Sequence, residues 1–561
     1  MSDYTTQAGL GDAIRSNATG GRYNIMSGGG VAGDFNNDGF DDLFMLAGGG
    51  LADYLFINNQ DGTFTDVADE WGVGLYQHSF GASAADFNND GYLDIFITSY
   101  GPSNEPAAAG NFKLYQNNGP DENGQWSFTD VAAAAGVERL LGVTRDGTGS
   151  AWGDYDLDGD LDLFLSGYNE ARICNRIFRN NGPDSNGVWT FTDTTIEAGI
   201  SQTGVYGFLP KLVDMNSDRY PDLILIGDAG TSIFYINNQD GTFTSRTDDA
   251  QGIETANGMG VDVGDVNNDG LLDMYVTSIT YPNTQGPGNV LMIQNQDQTF
   301  NNTARDNGTY AGHWGWGALL LDLDNDGDRD IAETNGFTGT FAGDPAVIFE
   351  NLNAGIEFNE IANQAGFIQT GQGRGMVRLD LENDGDLDIA IFEYNGSLRF
   401  FRNELITDQT PADRNWIRVN LDTSARDTLA PAGIGAMVKV FTGDQMQIMP
   451  MHSGSNHASS SPKTVHTGLG SATIIDTLRI DWPDGSFTTR TNIPASQVLT
   501  INAPSSPADY TDDAAVNVSD VFSFLKSYSA NDLVADHNGD MALNFFDVAS
   551  FIADYQSAMT P

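Results

Sequence analysis

Between residues 30 and 405, short apolar runs alternate with polar, glycine-rich turns. A Gly-rich run opens each unit, as in FGASAAD (80–86), GTGSAWGD (147–154) and GMGVDVGD (258–265). After an acidic loop comes a continuous apolar run: LDIFITSY (93–100), LDLFLSGY (161–168), PDLILIGD (221–228) or LDMYVTSI (272–279). DYLFINNQ (53–60) and DGTFTDVA (61–68) exemplify the third and fourth runs. Short strands at regular spacing with turn signals between them predict an all-β fold. Four strands repeated seven times favour a seven-bladed β-propeller, whose closure protects the strand edges. The seventh unit reaches its third run, SLRFFRNE (397–404), but lacks a fourth. DYTTQAGL (3–10) is comparable to TDVAAAAGV (129–137), so the N-terminal strand is expected to complete the last unit.

The loop between the first two runs of each unit is a nine-residue string, D-x-[D/N/E]-x-D-G-x-x-D, whose seven starts are spaced by 51 to 68 residues. Oxygens at positions 1, 3, 5 and 9 with the backbone carbonyl of position 7 can wrap one Ca²⁺, and Gly at position 6 permits the positive φ that folds the loop. The candidate ligands are Asp34, Asn36, Asp38, Phe40 and Asp42 in the first loop, and Asp86, Asn88, Asp90, Tyr92 and Asp94 in the second. The third has Asp154, Asp156, Asp158, Asp160 and Asp162, the fourth Asp214, Asn216, Asp218, Tyr220 and Asp222. Then follow Asp265, Asn267, Asp269, Leu271 and Asp273, Asp322, Asp324, Asp326, Asp328 and Asp330, and finally Asp380, Glu382, Asp384, Asp386 and Asp388. Without a cation, so many carboxylates within nine residues repel one another. Arg219 replaces the glycine of the fourth loop and Glu382 takes position 3 of the seventh, so these two are expected to be the weakest sites.

Loop and flanking strands together closely resemble the FG-GAP/VCBS repeats of integrin α-chain propellers and bacterial surface proteins, over residues 1–405. That resemblance implies structural calcium loops on the face opposite the usual ligand-binding face. It does not name a ligand.

From Asn415 the repeat stops. NWIRVNL, GIGAMVKVF, QMQIMPM, VHTGLG and DTLRIDWPDGS predict a small β domain over 415–503. Gly433-Ile434-Gly435-Ala436, Thr467-Gly468-Leu469-Gly470 and Trp482-Pro483-Asp484-Gly485 resemble the ASPIC/UnbV domain that follows such propellers in the cartilage acidic protein family. His452, His457 and His466 lack regular ligand spacing and are expected at the surface rather than on zinc. Residues 504–508 form a linker by composition. Beyond it, over 509–561, two twelve-residue acidic loops lie 27 residues apart, each before an amphipathic helical run. Their candidate calcium ligands are Asp509, Thr511, Asp513 and Asp520, then Asp536, Asn538, Asp540, Asn544 and Asp547. The pair resembles a dockerin module, which implies a cohesin-like receptor as partner. Ala514 and Met541 stand where a calcium loop prefers glycine, and with Thr511 they weaken the first loop most.

Composition narrows the function. Of 561 residues, 25 are Lys or Arg and 77 Asp or Glu, a net charge of −52 that argues against nucleic acid and anionic membranes. A hydrophobic fraction of 40% leaves ample core, so the acidity is not that of a disordered tail. The lone cysteine, Cys174, excludes an internal disulfide and reads as a small core residue. No apolar run is long enough to span a membrane, and MSDYTTQAGLGDAIR shows no signal peptide pattern. G-x-S-x-G, H-E-x-x-H and P-loop motifs are missing, and His313, Trp314 and Trp316 are expected to pack between units. The sequence therefore predicts a calcium-binding, non-enzymatic scaffold with about seven propeller sites and up to two in the tail. It would be secreted or at the cell surface, where millimolar calcium saturates even weak loops. A protein or carbohydrate ligand would sit on the propeller face. The alternative is a carbohydrate-active lyase or dehydratase on the same propeller, as the resemblance allows.

Overall fold

The computed structural model describes residues 1–15, 25–48, 51–101, 112–138, 145–168, 175–246, 253, 255–281, 288–406, 414–454, 456–506, 508, 510, 516–530, 535, 537 and 543–559. Cys174 falls outside them, as do Asp509, Thr511, Asp513, Asp536, Asn538 and Asp540 of the tail loops. The protein is all-β, built from many small antiparallel sheets. Seven lie in the repeat region, six of them with their four main strands in sequential order. The first contains Gly30–Gly33, Asp42–Met45, Tyr54–Asn58 and Phe64–Asp66. In the seventh, Gly373–Leu379, Asp388–Glu393 and Leu398–Arg402 are joined by Ser2–Asp3, with Ser2 opposite Arg402 and Asp3 opposite Phe401.

First strands are buried along both faces, which accounts for their small residues. A Cβ on Gly81 would stand 2.8 Å from the carbonyl oxygen of Thr148 in the next sheet, and one on Gly317 would stand 2.7 Å from that of Arg374. Only glycine tolerates such backbone approach. Apolar side chains of each sheet interleave with those of the next. Leu43 and Phe56 of the first sheet share a core with Ala390 and Phe400 of the seventh, just as Phe164 of the third shares one with Leu223 of the fourth. Every consecutive pair is joined in this way. Each sheet is separate, and the circuit is made by packing.

The C-terminal β domain has two sheets. Asn415–Asp422 lies between Val465–Gly470 and Gln497–Asn502 in one, while Met437–Thr442, Gln445–Pro450, Ile474–Asp481 and Phe487–Pro494 form the other. Leu421, Val438, Ile480 and Trp482 are in the core between them. From this domain the segment around 453–460 reaches into the middle of the seven sheets. Ser453–Gly454 pairs with Ser150–Gly153 of the third sheet, and Ser460 exchanges backbone hydrogen bonds with Gly30 and Ala32 of the first. Asn456 donates to the Met376 carbonyl, 2.8 Å away, and Ala458 packs with Phe80, Phe208 and Trp316.

This overturns the expectation of surface histidines. His457 and His466 are fully enclosed and His452 nearly so. His457 sits between the carbonyls of Met259 (Nδ1, 3.2 Å) and Met26 (Nε2, 2.9 Å), and burial depresses its pKa to about 4. The ring is therefore neutral, with one N–H to share between two carbonyls. The sequence signal was too weak to show this, because a polar loop inside a channel reads like a polar loop in water. Of His313, Trp314 and Trp316, both tryptophans pack in a cluster shared by several sheets, and only the histidine does not. Trp316 joins the axial cluster, while Trp314 stacks on Phe337 at 4.2 Å and His313 is exposed.

Candidate metal centres

All seven acidic loops fold alike. The position-1 carboxylate accepts the backbone N–H of position 5 on one oxygen and of position 6 on the other, as Asp34 does from Asp38 (3.0 Å) and Gly39 (2.7 Å). The same pair of bonds holds Asp86, Asp154, Asp214, Asp265, Asp322 and Asp380. Position 5 accepts from the N–H of position 7, as in Asp90 from Tyr92 at 3.0 Å. Position 9, at the start of the second strand, accepts from position 2 and from the third strand, as in Asp162 from Tyr155 (3.1 Å) and Asn180 (2.8 Å). Two residues per loop are left-handed. Position 6 is glycine except for Arg219, which adopts φ 81° and still donates its N–H to Asp214. Position 4 is the second, with φ between 53° and 60° at Asn37, Asn89, Leu157, Ser217, Asn268, Asn325 and Asn383. Asn bears that conformation at low cost, so its recurrence there was a readable signal.

The carboxylates converge. In the third loop, oxygens of Asp154, Asp156 and Asp162 lie within 4.8 Å of one another, as do those of Asp322, Asp324 and Asp326 in the sixth. Burial raises the acids, with mutual repulsion adding to it. Asp86, Asp214 and Asp265 are pushed up to about 6, Asp322 and Asp380 to about 7, and Asp154 to about 8. The position-9 acids Asp42, Asp94, Asp162, Asp222, Asp273, Asp330 and Asp388 are raised further by deeper burial. Buried oxygens at position 3, Oδ1 of Asn88 and of Asp156, have no hydrogen-bond partner among the described residues. An all-oxygen set with orphaned acceptors and raised acids fits a hard divalent cation. Glu382, at position 3 of the seventh loop, gives one oxygen to Arg402 at 2.8 Å, while its Oε2 is buried without a hydrogen-bond partner among the described residues. In the tail, Asp520 and Asp547 accept the N–H groups of Asn517 (2.7 Å) and Asn544 (2.6 Å) at the starts of helices Val518–Ser529 and Phe545–Ala558.

One residue class at these loops escaped the sequence reading. Each third strand carries an Asn or Gln in it or just past it, beside the position-9 carboxylate: Asn58, Asn117, Asn180, Asn237, Gln294, Asn351 and Asn403. Each donates its backbone N–H to the position-9 carboxylate of its own sheet. Its side-chain amide donates to the position-2 carbonyl of the previous sheet, from Asn58 to Leu381 (3.0 Å) through to Asn403 to Leu323 (2.9 Å). Seven such bonds connect the loops in a closed circuit. The recurring N of FINNQ, YQNNG and FRNNG carried that signal.

The C-terminal domain rests on this loop face. Arg418 forms a buried ion pair with Asp41 (3.0 Å) and donates to Asn383 (2.8 Å). The Gly468 N–H reaches Asp322 at 2.8 Å, and His466 Nε2 lies 3.1 Å from the Gly385 carbonyl. Trp416 is packed against Gly385, and the backbone of Asp427 against Gly159. Glycine at position 6 of these two loops thus serves both the turn and the domain contact.

The repeats and the β domain correspond to known families. Residues 34–97 and 214–276 match the FG-GAP-like repeat, and residues 427–508 match ASPIC and UnbV. Among known proteins, the chain is distantly homologous to cartilage acidic protein 1. It is 25% identical to that of Homo sapiens over 486 residues, which is 80% of this chain and 66% of the human protein. Identity to the Mus musculus protein is 23% and to the Xenopus tropicalis protein 24%, each over 74% of this chain and 62% of the relative. The chain thus matches just under two thirds of each relative's length.

Proposed function

We propose that the seven sheets are the blades of a β-propeller, that each acidic loop binds Ca²⁺ as a structural ion, and that the protein is an extracellular adhesion or ligand-binding scaffold without enzymatic activity. The supporting observation is the same pre-folded loop in all seven sheets, with carboxylates converging in the third and sixth and orphaned position-3 oxygens in the second, third and seventh. FG-GAP-like repeats and the likeness to cartilage acidic protein 1 support the extracellular reading. Among the described residues, no helix is long and apolar enough to cross a membrane.

The C-terminal domain covers the loop face, so a protein or carbohydrate ligand would take the opposite one. First strands start there and second strands end there, which brings Trp314, Phe337, Phe341 and the exposed Tyr281 together. Stacked and edge-on rings suit a sugar face or an apolar side chain. An enzyme on this scaffold would need its pocket near the axis, and the 453–460 segment occupies that space, which favours binding over catalysis. The tail presents Val518, Phe522, Phe545 and Phe546 outward, the surface a dockerin-like tag would offer a cohesin-like receptor.

Thermal unfolding with and without calcium, together with a count of bound metal, tests the reading. A large stabilisation with five or more ions per chain is expected, the fourth and seventh loops filling last. Equal unfolding temperatures and no bound calcium would reduce the loops to solvated turns. Glycan and protein array binding by wild type and Trp314→Ala tests the ligand face, with loss of binding at unchanged unfolding temperature expected.

A further inference from the structure

We propose that a chloride ion binds in the partly open polar cavity between the seven sheets and the C-terminal domain. Two adjoining hollows there share Asp262, Arg378, Pro450 and His452. Lys211 and Ser461 line one, Arg329 and His466 the other. Three permanent cations thus face a single lining carboxylate, in a chain that is strongly acidic elsewhere.

That carboxylate is already committed. Asp262 accepts Lys211 Nζ at 2.6 Å, the Val263 N–H at 3.0 Å and the Leu320 N–H at 2.9 Å. Arg378 donates to the Thr464 carbonyl at 3.2 Å and has no carboxylate partner among the described residues. The acids that act most on it, Asp262 and Asp41, are each paired with another cation, Lys211 and Arg418. Lys463 is held by Ser460 Oγ at 2.8 Å and the Ser461 carbonyl at 3.1 Å, and burial together with the Arg378 and Lys211 charges pushes its pKa down to about 7. His466 Nδ1 is buried without a hydrogen-bond partner. A buried charge lacking a counter-charge is costly, and an anion between Arg378 and His452 removes that cost.

Size selects the anion. The two hollows hold occupants on the scale of one or two water molecules each, which suits a halide and is too tight for phosphate or a carboxylic acid. None of the lining residues is a calcium ligand, so the anion site stands or falls separately from calcium binding.

The test is thermal unfolding of the full chain at fixed pH, fixed ionic strength and saturating calcium, with chloride replacing gluconate stepwise. A saturable rise in unfolding temperature is expected in wild type and in Arg378→Lys, and its loss in Arg378→Met. Crystals grown in bromide should show an anomalous peak beside Arg378. Equal stability in chloride and gluconate, or a rise that Arg378→Met shares, overturns the proposal. Should Arg378→Met fail to fold, the bromide map of the wild-type protein decides, and a cavity without an anomalous peak rejects the site.

Discussion

At the residue scale, the amide that each third strand places beside the acidic loop bears more structural weight than its ordinary look in sequence suggests. Asn237 donates its side chain to the carbonyls of Tyr155 (2.8 Å) and Pro221 (3.1 Å), joining the fourth sheet to the third. Asn237→Ala orphans both buried acceptors, and a loss of about 2–4 kcal/mol is expected in denaturant unfolding. The loop acids carry a second consequence. Their folded-state pKa values lie at about 6 to 8, above the ordinary 3.8. The metal-free fold binds more protons at these acids than the unfolded chain does, so their contribution to stability is full below about pH 4 and is lost as pH rises through about 8. Calcium displaces those protons, so its stabilising effect should grow over the same range. Unfolding temperatures of calcium-free and calcium-loaded protein between pH 5 and pH 8 check this, and parallel curves would contradict it.

The elements were the most legible level. Short apolar runs bounded by acidic and Gly-rich turns carry a sheet-building signal that depends only on local chemistry, and the strands fall where those runs are, from Asp94–Gly101 to Leu398–Arg402. The candidate ligands were legible for the same reason, since a nine-residue loop supplies its own partners. What the sequence hid are contacts fixed by distant parts of the chain: the axial segment, the buried histidines and the amide circuit. The N-terminal strand lies between these cases. Ser2–Asp3 contributes two residues of pairing, while Ala8 and Leu10 enter the core between the seventh and first sheets. Deleting residues 1–10 should lower the unfolding temperature well beyond the effect of losing two strand residues, because a shared core is opened. A truncation as stable as the full chain would show that the seventh sheet does not depend on this segment.

For the whole molecule, the C-terminal domain works as part of the repeat region. It contributes a strand to the third sheet, fills the axis and covers the acidic loops through Arg418, Trp416 and Gly468. Replacing His457 with Ala removes the one N–H that the carbonyls of Met26 and Met259 share and opens a cavity among Phe80, Phe208 and Trp316. Scanning calorimetry should show the sheet region and the C-terminal domain of this variant melting together at a lower temperature. A drop confined to the C-terminal domain would mean that the axis stands without it.

The axial segment also sets a timetable for folding. Ser459 meets Gly30 across 429 residues of intervening chain, and His457 meets Met26 across 431. Contacts of such sequence separation form late, because loop closure must precede them. During synthesis the seven sheets can be made one after another, but their middle stays open until residues 453–460 have left the ribosome. Once that segment is threaded, unfolding any single sheet requires it to withdraw, so the finished protein should hold its fold by a slow exit rate as much as by its equilibrium stability.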